Sequence, residues 1–134
     1  MSITHEDAQR GLAAGISKAE ELGVQVAIAI VDDHASLVGL IKMQSGFLFL
    51  SEAATGKAMA TVVWRGQDSG VLNERAGTPM MNAVNKVYGD KLFYQQGAVA
   101  IKRGDQLIGA VGAGGASAQL DEEIATVVAE TIAG

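Results

Sequence analysis

Cysteine is absent from this chain. That excludes disulfides, iron–sulfur clusters, thiolate zinc sites and a cysteine nucleophile. It fits a reducing compartment, and the chain is read as cytoplasmic. Proline is nearly absent too. Pro79 stands alone, and no Ser/Pro-rich stretch marks a linker, so residues 1–134 are expected to form a single domain. No apolar run approaches the roughly 20 residues that span a bilayer, so no membrane partner is expected. The start, Met1-Ser-Ile-Thr-His-Glu-Asp7, lacks the basic and apolar regions of a secretory signal. Basic runs are missing and the net charge is −5, which speaks against a nucleic-acid partner. Aromatics are scarce, 4 % of a chain that is 49 % hydrophobic, so its bulk comes from Ala, Val, Ile and Gly. Small residues let helices and strands approach closely, and the few aromatics stand out as possible pocket walls.

What remains is a regular alternation of helices and hairpins. Thr4 is placed to cap a first helix, with Asp7 three residues on and Gly23 as its end. Val24–Val31, rich in β-branched residues, and Leu37–Met43 flank the polar turn Asp32–Ser36 and form a hairpin. Ser51–Arg65 reads as an Ala-rich helix, and Asn82–Tyr88 as a short one. Gly97–Ile101 and Gln106–Val111 flank the turn 102–105 as a second hairpin. Ser117 caps a last helix whose buried stripe runs through Leu120, Ile124, Val127 and Val128. The fold class is therefore α/β (α+β), an antiparallel sheet of about five strands with flanking helices. Several strands are apolar on both faces. Three main helices leave some of that surface uncovered, which points to a homo-oligomer.

Few motifs carry chemistry. No Ser/His/Asp set, HExxH, P-loop or CxxC is present. Gly112-Ala-Gly114-Gly115-Ala-Ser117 resembles a dinucleotide loop, but only residues 118–134 follow it, too few for a second parallel strand with an acidic ribose ligand. Its glycines can still bring backbone N–H groups together for an anion, or simply make a tight strand-to-helix connection. Asp33 and His34, beside Asp32 at the first hairpin tip, are candidates for acid–base work, or a solvated turn; no metal site is assigned. Lys57, inside a small apolar helix, must be paired or must reach a cavity; it is both a catalytic and a binding candidate. Arg65 could hold a carboxylate or simply favour its helix C-terminus. His5 is a candidate axial ligand, or an exposed first-turn residue. Phe47, Phe49, Trp64, Phe93 and Tyr94 wall a flat apolar ligand or fill the core.

Three segments together resemble the GlcG/HbpS-like family, the haem-degrading domain that includes the C-terminal domain of PduO-type proteins. The first is Ala19-Glu-Glu-Leu-Gly-Val-Gln-Val-Ala-Ile-Ala-Ile-Val-Asp32, running on to Leu37 and Lys42-Met43. The second is Gly56-Lys57-Ala58-Met-Ala60-Thr. The third is Ile108-Gly-Ala-Val-Gly-Ala-Gly-Gly-Ala-Ser-Ala-Gln-Leu-Asp121-Glu-Glu-Ile-Ala125. The resemblance implies a profilin-like sheet, assembly up to an octamer, and binding of haem or, in some members, corrinoids. It makes the chain an oligomeric binder of a small ligand, haem or a related tetrapyrrole. His5, Lys57, Trp64, Arg65, Tyr94, Gly114 and Gly115 are then the candidate contacts. The family's Gly-Gly at the first hairpin tip is His34-Ala35 here. That departure motivates an alternative, a cofactor-independent lyase, isomerase or hydrolase acting on a small apolar substrate through Asp33, His34 and Lys57. A second alternative is an accessory protein that stabilises a metabolic enzyme.

Overall fold

Helix α1 spans His5–Leu22, and its ends are set as the sequence expects. The Thr4 hydroxyl accepts the Asp7 N–H, the Asp7 carboxylate accepts the Thr4 N–H, and Gly23 closes the helix at φ 71°. The computed structural model describes residues 2–134; the expected domain span 1–134 begins one residue outside them. Strands β1 (Ala27–Asp32) and β2 (Leu37–Lys42) form the first hairpin. Helices α2 (Leu50–Val63), α3 (Ser69–Asn73) and α4 (Pro79–Val87) follow. Strands β3 (Ala98–Arg103) and β4 (Gln106–Gly114) form the second hairpin, and α5 (Ala118–Ala133) ends the chain.

The sheet has four strands in the order β2-β1-β4-β3, and every neighbouring pair is antiparallel. Four corrects the expectation of about five. The β-rich runs are those of the two hairpins, and the stretch between them goes to α3 and α4. Helix α3 was not foreseen. The side chains at its start are spent on the sheet rather than on a cap: Ser69 Oγ accepts the Ala98 N–H at 2.8 Å and Asp68 Oδ1 the Ala100 N–H at 3.2 Å. They occupy donors on the outer edge of β3, which would otherwise be open to another strand.

The two faces of the sheet differ in side-chain size, and that decides which helices lie where. Side chains alternate along a strand. Ile28 and Ile30 of β1, Val99 and Ile101 of β3, and Val111 and Ala113 of β4 pack in one core with α1 and α5 residues such as Ile124 and Val128. The opposite face carries Ala27, Ala29, Ala110 and Gly112, against which α2 lies through Leu50, Ala54 and Ala58. A Cβ added at Gly112 would collide with the Ala54 carbonyl oxygen of α2. The two-helix face thus fills its space with branched side chains, and the one-helix face lets backbone approach backbone. The expected two-faced apolar character of the strands is borne out by this division.

An ionic cluster ties α1 to the far end of the sheet. Asp7 accepts from Arg10 at 2.8 Å and from Arg103 at 3.2 Å. The same arginines donate to the Thr131 and Ile132 carbonyls in the last turn of α5. The Thr4 N–H, followed by both arginines and the Thr4 hydroxyl, outweighs burial and holds the Asp7 carboxyl at about 2, below its usual 3.8. A carboxyl depressed in the fold stabilises it above the unfolded value, and that stabilisation is lost as pH falls from 3.8 toward about 2. Asp7→Asn is therefore expected to flatten the acid limb of stability. Urea unfolding between about pH 5 and pH 2 checks this, and an unchanged slope would contradict it.

Candidate functional site

The most demanding side chain in the molecule is Lys57. It lies on α2 among Ala53, Ala54, Ala58 and Ala60, and only 7 % of its side chain is exposed. Its Nζ donates to the Ala113 carbonyl at 2.9 Å and to Asp121 Oδ2 at 3.5 Å. The Asp121 side chain, in the first turn of α5, is 4 % exposed, and its Oδ1 accepts the Ala116 N–H at 2.9 Å. Space for the ammonium comes from missing side chains. A Cβ on Gly97 would lie 2.8 Å from Nζ, and Gly97 also holds φ 138°. Burial pushes the Lys57 ammonium below its ordinary value, with the Asp121 charge opposing that shift. Burial likewise pushes the Asp121 carboxyl up, against the Ala116 N–H and the Lys57 charge.

Above this pair opens a cavity of about 470 Å³. All three phenylalanines of the chain, Phe47, Phe49 and Phe93, line it, together with Leu50 and Ala53. Gly114, Gly115 and Ala116 form the strand-to-helix loop at its side, and Ala118 brings the N-terminus of α5 to it. Asn73, Gln95 and Gln96 supply neutral polar groups. An ammonium has three donors, and two are engaged by Ala113 and Asp121. The third has no partner among the described residues, and Lys57 lines the cavity beside a helix N-terminus whose first N–H groups have no partner within the helix. The arrangement can therefore take a largely apolar, flat body and accept one oxygen anion or carbonyl at its floor.

The sequence candidates divide between the two ends of the sheet. Lys57, Gly114 and Gly115 meet in the cavity, with Phe47, Phe49 and Phe93. Ala27 pairs with Gly114 there, whereas Asp32 pairs with Gly109, about 17 Å further along the strand. Asp33 and His34 lie in the turn at that far end, so the suggested catalytic set of Asp33, His34 and Lys57 is not brought together. Asp32, Asp33 and His34 do gather ligand atoms within 4.8 Å of one another, but Asp32 Oδ1 is engaged by the His34 and Ser36 N–H groups of the turn. His5, exposed in the first turn of α1, is also outside the cavity, as is Arg65, exposed beyond the far end of α2 with φ 63°. Trp64 and Tyr94 belong to a separate small core: Trp64 Nε1 donates to the Tyr94 hydroxyl at 3.2 Å, which donates to the Met81 carbonyl at 3.1 Å. Asp121 was missed as a site residue because an acid in a helix's first turn already has an ordinary explanation. The available signal was Lys57, which, once buried, requires a carboxylate.

Breaking a buried pair from one side leaves an uncompensated charge. Lys57→Met alone is expected to cost about 3–5 kcal/mol. Lys57→Met with Asp121→Asn should recover most of that loss, because no net charge then stays buried. A double-mutant cycle by urea unfolding measures the coupling; additive losses would contradict the pairing.

The family model for the haem-degrading protein HbpS-like family matches residues 3–130. No curated protein is similar enough to the chain to count as a relative. Among solved structures, Klebsiella pneumoniae protein ORFY superposes with a TM-score of 0.87 at 22 % identity, covering 98 % of this chain and 91 % of that one. A PduOC–haem complex superposes with a TM-score of 0.84 at 25 % identity, covering 98 % and 95 %. A double mutant of Streptomyces reticuli HbpS gives 0.82 at 21 % identity, covering 97 % and 86 %. With the family model spanning both hairpins, the Lys57 helix and the glycine loop, this chain belongs to the HbpS-like haem-degrading protein family.

Proposed function

We propose that this protein is an oligomeric binder of haem or a related tetrapyrrole, held in the cavity above Lys57. The observation that carries the reading is the spare donor of Lys57 at the floor of a cavity walled by every phenylalanine in the chain. A tetrapyrrole presents a flat apolar ring and carboxylate arms. Phe47, Phe49 and Phe93 suit the ring, and Lys57 with the N-terminus of α5 suits a carboxylate. Family membership supports the ligand class, as does the haem carried by the PduOC structure. The ring and carboxylates fit the residues present. The iron does not, because no histidine, methionine or tyrosine among the described residues lines the cavity.

Assembly is supported by what stays uncovered. Phe47 and Phe49 are 57 % and 55 % exposed, Leu48 between them is 90 % exposed, and edge strand β2 shows Leu37, Leu40 and Ile41. Apolar surface of this kind ordinarily marks an interface, and a second copy of the chain would cover it. No helix among the described residues is long and apolar enough to cross a membrane.

Haemin titration should give a saturable shift of the Soret band at near-stoichiometric protein. A Lys57→Leu/Asp121→Asn variant, which removes the donor and the buried charge without adding an iron ligand, should bind about tenfold more weakly, the worth of one charge-assisted hydrogen bond. Light scattering on the same samples should give a mass that is a multiple of 13.8 kDa. No saturable shift would overturn the ligand reading, and a single-copy mass would overturn the assembly.

A further inference from the structure

We infer that the cavity recognises a tetrapyrrole by its ring and its carboxylates alone and gives the central metal no ligand, so metal-free porphyrin binds as well as haem. This rests on the cavity being the tetrapyrrole site. Protein ligands to haem iron are histidine, cysteine, methionine or tyrosine side chains. Cysteine is absent, and among the described residues none of the other three types lines the cavity. The exclusion has a structural cause for each. His34 is 84 % exposed at the turn beyond Asp32, and His5 is exposed on the first turn of α1. The Tyr94 hydroxyl is held between Trp64 Nε1 and the Met81 carbonyl. Met43 packs against the core shared by α1 and α5, and Met59 of α2 packs against the cluster of Val31, Ala58 and Ala110. Met81 is buried in the small core of Trp64 and Tyr94, and Met80 and Tyr88 are exposed on and just after α4, outside the cavity lining.

Neither of the two charged groups that face the cavity is free to ligate a metal. Lys57 is a hydrogen-bond donor to Ala113 and Asp121, and a protonated amine has no lone pair for a metal. Asp121 Oδ1 accepts the Ala116 N–H, and its Oδ2 faces Lys57. Asn73, Gln95 and Gln96 offer neutral amides. Binding strength is thus left to apolar contact with the ring and to the donor that meets a carboxylate. Both are the same whether the ring holds iron, another metal or two protons.

The test compares haemin, protoporphyrin IX and protoporphyrin dimethyl ester on the full-length protein, by absorbance and porphyrin fluorescence. Haemin and protoporphyrin IX should bind within about threefold of one another, and the dimethyl ester at least about tenfold more weakly. A His5→Ala/His34→Ala variant, altered only at exposed positions, should leave the spectrum and affinity of bound haemin unchanged, whichever copy in an assembly carries the histidines. Haemin binding more than about tenfold tighter than protoporphyrin IX, or a spectrum lost in the histidine variant, would overturn the inference while leaving tetrapyrrole binding intact. An ester that binds as well as the free acid would also overturn it. Failure of haemin and protoporphyrin IX alike would overturn the tetrapyrrole reading itself, and the inference with it.

Discussion

The close approach of α2 to the sheet is the constraint on which the rest depends. It exists because one face of the sheet is nearly stripped of side chains: Ala27, Ala29, Ala110 and Gly112 meet Ala54 and Ala58. A single methyl at Gly112 would strike the α2 backbone. A helix pressed so close leaves a long side chain on its inner side little contact with solvent. Lys57 is therefore buried, and burial of an ammonium costs several kcal/mol unless it is compensated. The compensation is Asp121 and the Ala113 carbonyl, reached across the space that Gly97 leaves open. The site is the consequence of this packing and not an addition to it.

Much of the fold was written in local chemistry. Thr4, Asp7 and Gly23 set the ends of α1 as their types require, and Ser117 caps α5 by accepting the Leu120 N–H. Both hairpins follow from β-branched runs broken by polar turns. The α3 segment was not readable, because Asp68 and Ser69 look like cap residues while their oxygens serve the edge of β3, an assignment fixed only by tertiary contact. The different side-chain sizes on the two faces were visible in the alternation of β1, but which helix would take which face was not.

The site was half legible for a related reason. Lys57, Gly114, Gly115 and the phenylalanines carry signals strong enough to be read one at a time: a charge in an apolar helix, a glycine cluster, rare rings in a chain poor in them. Trp64 and Tyr94 carry the same signal but satisfy each other in a separate core. His5 and Arg65 have the right chemistry at the wrong ends of their helices. Residue type indicates what a side chain can do, and only the register of β1 against β4 shows that Ala27 and Asp32 face opposite ends of the molecule.

Membership of the HbpS-like family and the geometry of the cavity meet at Lys57, whose spare hydrogen-bond donor is the feature most specific to a ligand with an oxygen anion. Nitrogen-detected NMR of the lysine side chains reads it directly. At neutral pH one protected ammonium resonance is expected, absent in the Lys57→Met/Asp121→Asn variant, that shifts as zinc protoporphyrin, a diamagnetic dicarboxylate, saturates the protein. A Lys57 resonance that exchanges as freely as the surface lysines, or that stays in place while the ligand binds, would contradict it.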